Sequence, residues 1–573
     1  MNPETIQSQP PISPQTPVID PISPEPKKHR KHMFLLIFVA LLLFVILGLF
    51  FGIRHFGNQD PAEAESKTLK SFGVIGDGTT DDTVALQKAI DYTSKKRGIL
   101  TLPPGRYRIT KPLFMKSNLR LRGTPGKSVI VQTDSPYDMV LGNAFPSNYD
   151  KRQPDFHGKR GHFENLATKQ TTWAKGSNTI TLKYRSDVKK LKAGEIVCIR
   201  STKQFDNNDG WSQPDFVQFT RIEKIFDSSR RLVLADKALN SIGDPQDGPP
   251  QICKIDGYNP HLSYIMDRDV PWYAVQSSEL SGIVFEGGEI GLAAGLCYSC
   301  TVKDIQFRGV DTPIALNALV KNNFTNISGD YTTEAVEAAM SSTQTTFKNL
   351  NFTYRPISCS LKSEPDPLKC SPPVPSSKRP SNCSLVQYPN PMDCPLVASP
   401  AISVGERSVG ITFDNFTLTV GRNATLHGRL IGIGDAQNIR IINSHIDTSG
   451  GGGQQVFEIR GNYNAAAGSK FAVKNYTIAN NVIKLGIAKE QLAIIVGSKN
   501  QPIQNLNFSN NKWSGTRTST GQAYWAGNYV KSWSVINESI PVANRFRVTH
   551  DATHFNSDPI TKNVKFGDFS STL

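Results

Sequence analysis

The sequence predicts an all-β fold: a right-handed parallel β-helix with an N-terminal capping helix and a small inserted β subdomain, preceded by a single transmembrane helix. Three observations predict it. Short segments with apolar residues at alternate positions recur along the chain, bounded by Asn or Gly. A helical period follows a Gly- and Asp-rich turn near residue 80, and one long uncharged stretch lies near the N-terminus.

The uncharged stretch, Met33–Gly52, is twenty residues long and would span the ~30 Å of a bilayer core at ~1.5 Å per residue. A basic cluster, Lys27–Lys31, precedes it, so the positive-inside rule places the Pro-rich, disordered arm 1–32 in the cytoplasm. The main domain is then extracellular, lumenal or periplasmic. The alternative is a cleaved signal peptide, which the long arm and long apolar run disfavour.

The composition and charge of the chain restrict the classes of function that it could have. The chain has 573 residues, of which 38% are hydrophobic and 20% charged, so it can form a sizeable core and is not globally disordered. The formal net charge of +15 would attract acidic polymers such as uronic-acid polysaccharides, although an evenly scattered solvated surface accounts for it equally well. Nucleic acid is not an expected partner, because no dense Lys/Arg run lies outside the anchor.

The repeated segments are the main signal for stacked coils. Each coil would leave an apolar face exposed on its own, so neighbouring coils must stack, with a right-handed crossover. Asn recurs at the ends of the segments, where stacked side chains would form hydrogen-bonded ladders along the bends. The segments are Gly282–Phe285, Asp304–Phe307, Asn349–Phe352, Gly410–Asn415, Asn438–Asn443, Asn475–Asn480 and Asn505–Asn510.

The N-terminal part of the outer domain carries a specific motif. Phe72–Thr83 reads F-G-V-I-G-D-G-T-T-D-D-T, and a helix with apolar positions 85, 86, 89 and 90 follows, with Asp81 or Asp82 as its cap. Gly98–Ile109 then predicts a strand, a turn and a strand. This order resembles the N-terminal region of the pectate-lyase-like superfamily of right-handed parallel β-helices, which implies the fold and a polysaccharide substrate class. We interpret the acids of the motif as structural.

These signals divide the chain into consecutive parts. Residues 162–260 contain alternating segments that predict a small antiparallel β subdomain inserted between the first coils and the main coils. The predicted parts are the arm 1–32, the transmembrane helix 33–52, a linker 53–70, the start of the β-helix with its cap 71–161, the insertion 162–260, the coils 261–542 with a Cys- and Pro-rich insertion at 355–400, and a C-terminal cap or tail 543–573.

All eight cysteines fall on the predicted outer side, where disulfides are favoured. Cys198 and Cys253 are candidates to bridge the insertion, and the Cys297–Cys300 pair is expected to be structural. Within residues 355–400 the pattern C-S-L-x-x-x-P-x-P-x-x-C occurs twice. We expect two loops, each closed by its own disulfide, rather than a zinc site. The loops would be surface loops without a function in binding, which we favour, or a lid beside a groove. Nine Asn-x-Ser/Thr sequons also lie on the predicted outer side, and glycosylation stays open.

Chemistry is expected on one parallel sheet, where coils ~4.8 Å apart bring distant residues together. Strands near 311–316, 427–432, 456–460 and 492–494 should share this face. In the third, Phe457 and Ile459 would point inward, so that Glu458 and Arg460 point outward together. Asp447 precedes the run Gly450–Gly453, which predicts a flexible turn at the rim of the same face. The candidate catalytic residues are Asp311, Glu334, His427, Asp447, Glu458 and Arg460.

Known families of parallel β-helix enzymes carry catalytic motifs on the corresponding sheet, and this chain has none of these motifs in full. Of the polygalacturonase pattern, only His427-Gly428 echoes G-H-G, and the uronan-epimerase D-P-H pattern is absent. Two carboxylates across a groove would serve glycoside hydrolysis, which we favour narrowly. An Arg beside acids would suit a lyase, with a divalent cation such as calcium as cofactor. A non-catalytic, glycan-binding or adhesive β-helix is the rival from another class.

Overall fold

The computed structural model describes part of the unit Glu63–Leu573; the unit Met1–Ala62 lies outside the described residues. The predicted transmembrane segment 33–52 therefore lies outside them too. No helix within the described residues has the length and apolarity needed to cross a bilayer. The described ranges are 69–134, 137–142, 163–201, 217–243, 248–255, 273–339, 341–355, 361–365, 385–389, 400–405, 407–420, 424–449, 451–461, 471–485, 493–515, 522–527, 529–540, 544–548 and 558–566.

One parallel sheet of eleven strands follows the chain order, one strand per coil. Sequential parallel pairing of this kind is what stacked coils require, and it confirms a parallel β-helix. We call this sheet the groove sheet. Its strands are Leu113–Phe114, Tyr137–Val140, Ile290–Ala294, Thr312–Asn317, Val336–Ala339, Ile402–Val404, Ala424–Gly434, Gly451–Arg460, Ala493–Val496, Gln522–Ala526 and Asn544–Val548.

The other faces of the coils form a parallel sheet of twenty-two strands and a short parallel sheet of three. The three are Val275–Gln276, Cys297–Tyr298 and Leu319–Val320. The twenty-two are Asp77–Asp81, Ile99–Leu102, Gly105–Ile109, Arg120–Gly123, Ser128–Gln132, Glu279–Ser281, Val284–Glu286, Thr301–Arg308, Asn323–Tyr331, Thr346–Tyr354, Thr412–Asp414, Thr417–Val420, Arg440–Ile442, His445–Asp447, Lys474–Ala479, Val482–Leu485, Gln504–Ser509, Lys512–Gly515, Trp533–Ile536, Ser539–Ile540, Ile560–Lys562 and Lys565–Phe566.

A single hydrophobic core runs through the described coils, because alternate residues of most of their strands point inward. Equivalent positions stack from coil to coil. Phe324, Phe347 and Phe413 form a continuous aromatic stack with ring centroids 4.9 Å and 4.7 Å apart. The predicted common interior is therefore confirmed for the described coils.

Asparagine ladders line the bends, as the repeats predict. Asn349 donates its side-chain amide to Asn326 Oδ1 (2.9 Å) and accepts from Asn415 Nδ2 (2.9 Å). On another bend, Asn505 donates to Asn475 (3.0 Å). All five residues have φ between 54° and 63°, the left-handed region that Asn tolerates better than most residues. The Asn pattern therefore marks both the turn conformation and the ladder.

The aspartates of the N-terminal motif accept hydrogen bonds from nearby backbone amides. Asp77 accepts from the backbone amides of Thr79 and Thr80, and Asp81 accepts from the amide of Thr83 (3.0 Å). Asp82 occupies the N-cap position, but its carboxylate binds the amides of residues 75 and 76 rather than capping the helix. The structural interpretation of these acids agrees with these hydrogen bonds.

A helix follows the motif at Thr83–Lys95, after a 3₁₀ turn at Leu69–Phe72. Its buried residues Leu86, Ala89 and Ile90 join the core of the coils. The helix lies where the periodicity predicts it. Its role as a cap stays a prediction.

The insertion forms a separate antiparallel sheet of six strands with its own hydrophobic cluster. Cys198 and Cys253 lie opposite each other on paired strands, and a disulfide joins them, as predicted. A second disulfide joins Cys297 and Cys300, and the structural role expected of that pair stays a prediction. The strands are Phe163–Ala167, Thr179–Thr181, Ile196–Ser201, Gln218–Phe226, Arg231–Leu234 and Pro250–Ile255, with a short helix at Arg185–Val188.

Two features differ from the sequence-based expectation. Strands at 544–548, 560–562 and 565–566 pair in parallel with the preceding coil, so coils continue past residue 542, where a cap or tail was predicted. The Cys/Pro repeats also contact each other, because Leu361–Pro365 pairs antiparallel with Leu385–Pro389. The four cysteines of those repeats lie outside the described residues.

Candidate functional site

The outward face of the groove sheet gathers acidic and basic side chains from four successive coils. Glu337 pairs in register with Ser403, Ser403 with Gly432, and Gly432 with Glu458. The neighbours of Glu337 and Glu458 in sequence point into the core, so strand alternation turns both carboxylates outward. We call the following set the carboxylate row: Glu334, Glu337, Ser403, Arg429, Glu458 and Arg460.

Glu458 is the most enclosed acid of the row, with 4% of its side chain exposed. Arg429 Nη1 lies 2.5 Å from Glu458 Oε2, and Arg460 contacts the other carboxylate oxygen. The side chains of Arg429 and Arg460 are 38% and 47% exposed, so they cover Glu458 from the solvent side. Paired in this way, the Glu458 carboxylate is held in place by both arginines.

Gly432 gives Arg429 room to reach Glu458. A Cβ atom on residue 432 would lie 2.9 Å from Arg429 Nε and 3.3 Å from its Cδ. The arginine side chain therefore lies across the glycine, between the coil of Ser403 and the coil of Glu458. Any larger residue at 432 would displace it.

Glu334 and Glu337 form a coupled acid pair at the other end of the row. Burial raises the pKa of Glu334 well above its ordinary value, and the negative charge of Glu337 raises it further. Arg429 and the Ser403 hydroxyl act in the opposite direction on that pKa. Burial also raises the pKa of Glu337. The pair is therefore suited to retain a proton under conditions in which isolated glutamates are ionised.

Asp311 lies in a different ionic cluster, at the turn that precedes the strand Thr312–Asn317. Thr332 Oγ1 donates to Asp311 Oδ1 (2.6 Å), and Arg355 Nη2 lies 3.4 Å from the same oxygen. Arg355 Nε also pairs with Asp330 at 2.8 Å. The arginine thus joins two coils through their carboxylates, which is a structural role.

Asp447 ends a strand of the twenty-two-stranded sheet, whereas the sequence predicts that it precedes a Gly-rich turn at the rim of the groove sheet. The strand Gly451–Arg460 separates it from Glu458 by roughly 23 Å at ~3.3 Å per residue. Burial alone would raise the pKa of Asp447, but hydrogen bonds from Ser449 and the charge of Lys484 (3.5 Å) lower it overall. The Gly-rich segment that follows Asp447 is extended rather than folded into a turn, which carries this acid away from the row.

His427 lies in the groove-sheet strand Ala424–Gly434, and its side chain is outside the described part. Of the six candidates, the structure brings together Glu334, Glu458 and Arg460. The sequence analysis missed Glu337, Ser403 and Arg429 as site residues. Strand alternation around Val336 and Ala338 could have identified Glu337.

Beyond Glu458, apolar residues occupy the equivalent positions on the next two coils. Glu458 pairs in register with Ile494, and Ile494 with Trp525, which is partly exposed. A Cβ atom on residue 527 would lie 3.3 Å from the Trp525 ring, so the indole leans along the sheet over Gly527. An indole two coils from Glu458 gives this end of the row a flat apolar surface.

No group of three or more His, Cys, Asp and Glu side chains within the described ranges is placed to hold a metal ion. The calcium ion that lyase chemistry would require stays a prediction.

Comparison with known proteins places the similarity at the N-terminal end of the coils. Residues 68–194 match a family described as rhamnogalacturonase A/epimerase, pectate lyase-like. Mannuronan C5-epimerase AlgE6 of Azotobacter vinelandii is 32% identical over 123 residues, which cover 19% of this chain and 14% of that protein. Alginate lyase 7 of the same organism is 37% identical over 92 residues, 14% of this chain and 11% of that protein.

Among solved structures, the AlgE6 A-module of Azotobacter vinelandii superposes with a TM-score of 0.44 at 13% identity, over 87% of this chain and 99% of that chain. The sequence matches span about a seventh or less of the relatives' length. The family match ends at residue 194, before the carboxylate row. The predicted resemblance to the pectate-lyase-like parallel β-helix superfamily is confirmed, and its sequence signal lies in residues 68–194.

Proposed function

We propose that this chain is a glycoside hydrolase that cleaves a polysaccharide bound along the groove sheet. The observation that carries the proposal is the coupled pair Glu334 and Glu337. Glycoside hydrolysis requires one carboxylic acid that keeps its proton and one ionised carboxylate close by. Burial raises the pKa of both members of this pair, and the charge of Glu337 raises that of Glu334 further, which favours a protonated Glu334 beside an ionised Glu337.

In this mechanism the protonated member of the pair donates its proton to the glycosidic oxygen as the bond from the anomeric carbon to that oxygen breaks. A water molecule forms the new bond to the anomeric carbon, and the ionised carboxylate takes the proton that the water loses. Glu458 does not exchange protons in this mechanism. It holds Arg429 in place, and Arg429 moderates the pKa of Glu334.

A polysaccharide is the substrate class that the comparisons support. The relatives are, by name, a mannuronan epimerase and an alginate lyase. Trp525 lies in line with the carboxylates and offers the flat apolar surface on which sugar rings stack.

A polysaccharide lyase is the second candidate, and one observation favours it. Arg429 and Arg460 are partly exposed beside Glu458 and could bind the carboxylate of a uronate. Both guanidiniums are already paired with Glu458, however, which leaves less positive charge for a substrate carboxylate. We therefore place hydrolysis first.

We further propose that residues 33–52 anchor the protein in a membrane with the coils outside the cytoplasm. The disulfides Cys198–Cys253 and Cys297–Cys300 support an oxidising compartment. Protease added to sealed cells tests this proposal. Digestion of the coils in intact cells supports it, whereas protection until lysis contradicts it.

A panel of neutral and acidic polysaccharides tests the reaction class. Hydrolysis releases reducing ends without new ultraviolet absorbance, whereas elimination gives unsaturated products that absorb. Reducing ends alone, lost in Glu337→Gln, would support the hydrolase. Absorbing products would establish the lyase instead, and binding without either signal would favour a glycan-binding protein.

A further inference from the structure

A second polar cleft lies away from the groove sheet, where the inserted sheet meets the coils. It has a volume of about 550 Å³, within the ~300–1,000 Å³ of typical small-molecule sites. One wall comes from a bend of the coils and the other from the strand Gln218–Phe226. We call it the junction cleft. Its polar lining includes Arg97, Asn118, Arg221, Glu223, Lys224 and Ser277.

The coil wall is a row of three residues on successive coils. Arg97, Asn118 and Ser277 lie side by side, because the strands that follow them pair in register. Their φ angles are 53°, 60° and 53°. Half of the described non-glycine residues with positive φ are Asn, as in the ladders. At Arg97 this conformation ends the helix Thr83–Lys95, where the amides of Arg97 and Gly98 donate to the carbonyls of Ser94 and Thr93. Asn adopts this conformation more readily than Arg does.

The insertion wall is shaped by an irregularity. The pairing of Gln218–Phe226 with its neighbour shifts register between Ile222 and Lys224, so a bulge lies at Glu223. Bulges redirect side chains and are common next to binding sites. Here Arg221, Glu223 and Lys224 all line the cleft, and the consecutive residues Glu223 and Lys224 are both exposed, which strict alternation would disfavour.

A buried network fixes the insertion wall to the coils. Tyr298, on the coils, donates to Asp236 of the insertion (2.7 Å), as does Thr220 (2.9 Å). Lys321 pairs with the same carboxylate. The Arg221 guanidinium lies 5.8 Å from the centre of the Tyr298 ring. The two walls, and with them Arg97 and Arg221, are therefore held in a fixed relationship.

The charge of the junction cleft is positive. Arg97, Arg221 and Lys224 face it together with a single acid, Glu223. None of the three cations has a carboxylate within 4 Å in the part of the chain that the structure describes. Two guanidiniums offer the planar donor pairs that match a carboxylate. Asn118 and Ser277 add the neutral hydrogen-bonding groups that match sugar hydroxyls.

We propose that the junction cleft binds a hexuronate unit of an acidic polysaccharide, with Arg97 and Arg221 on its carboxylate. The cleft contributes residues from a bend of the coils and from the insertion, whereas the carboxylate row lies on the groove sheet. Binding at the cleft therefore does not depend on the row being catalytic. It would retain the protein on an acidic polymer.

Calorimetric titration of the full chain with an oligogalacturonate trimer tests the proposal. The titrations use a Glu337→Gln background, so that cleavage does not change the probe. Arg97→Asn removes the cation and installs the residue that the bend prefers elsewhere. We expect it to weaken binding about tenfold or more while leaving the melting temperature equal or higher. Arg221→Gln should weaken binding similarly.

The matched control is Arg230→Asn. Arg230 is also an arginine with positive φ (57°) in the insertion, but it does not line the cleft. Unchanged affinity in this variant, together with loss in Arg97→Asn, would support the proposal. Equal affinity of wild type and Arg97→Asn would overturn it. Binding of a neutral trimer or of sulfate as tight as that of the uronate would also overturn it.

Discussion

Arg429 and Glu458 pair across two adjacent coils, with Nη1 2.5 Å from Oε2, over a glycine at position 432. The same arginine lowers the pKa of Glu334, which burial and Glu337 raise. Arg429 thus connects the buried anion of the row to the acid pair. This connection makes the chemistry of the row sensitive to single substitutions.

Glu337→Gln should abolish hydrolysis and leave the fold intact. The substitution preserves the shape of the side chain but removes one member of the proton-sharing pair, so kcat should fall by ~10²-fold or more. Initial rates of reducing-end release measure the effect. Glu289→Gln, an exposed acid outside the row, is the control. Loss of activity in both variants, or in neither, would contradict the assignment.

Arg429→Gln should shift the pH profile of kcat/KM. The proton donor must be protonated, so activity is present below its pKa and lost as pH rises through it. Because Arg429 lowers the pKa of Glu334, its removal should move the alkaline limb to higher pH. Arg429→Lys, which keeps the charge, should move it less. An alkaline limb that stays in place in Arg429→Gln would exclude Glu334 as the donor.

Two substitutions of Asn349 should distinguish the stability contributed by the ladder hydrogen bonds from that contributed by the left-handed backbone conformation. Asn349→Gly keeps the left-handed conformation and loses the ladder hydrogen bonds, at a cost of roughly 1 kcal/mol. Asn349→Ala loses both, and should cost roughly 1 kcal/mol more. Urea denaturation measures the two free energies of unfolding. Equal destabilisation by Gly and Ala would show that the backbone conformation at this bend carries no strain.

Glu538 should make stability depend on pH. It accepts hydrogen bonds from Asn511, Trp513 and Tyr524 inside the coils. Burial raises its pKa although these bonds act in the opposite direction. An acid with a raised folded-state pKa takes up protons on folding, so its stabilisation is present at low pH and lost as pH rises through that pKa.

Glu538→Gln should therefore flatten the decline of melting temperature as pH rises above about 5. Thermal melts followed by circular dichroism across this range measure the change. Glu289→Gln again serves as the exposed control. A wild-type stability that increases with pH over the same range, with Glu538→Gln unchanged, would contradict this assignment.

Much of the fold could be predicted from sequence, because local rules determine it. Alternating apolar residues set which side of each strand faces the core, and Asn at the bends reports the left-handed turns of the ladders. The Gly/Asp motif and the helix after it follow from turn and helix propensities. The continuation of the coils past residue 542 was missed, since those last strands are short and less regular.

The site was harder to predict because its residues meet only through stacking. Glu337 and Ser403 lie on adjacent coils, but the insertion at 355–400 separates them in sequence. Asp447 was misplaced because its Gly-rich neighbours suggested a turn, whereas the structure extends them into a strand. The outward direction of Glu458 and Arg460 could be predicted, since the alternation of one strand decides it. Their catalytic role stays a prediction.

Digestion in heavy-oxygen water tests the central claim most directly. The substrate is the polysaccharide that responds best in the panel, and the products are analysed by mass spectrometry. Hydrolysis at the carboxylate row predicts one heavy oxygen in each new reducing end, and none with Glu337→Gln. Products that are unsaturated and unlabelled, or labelled products that persist in Glu337→Gln, would contradict it.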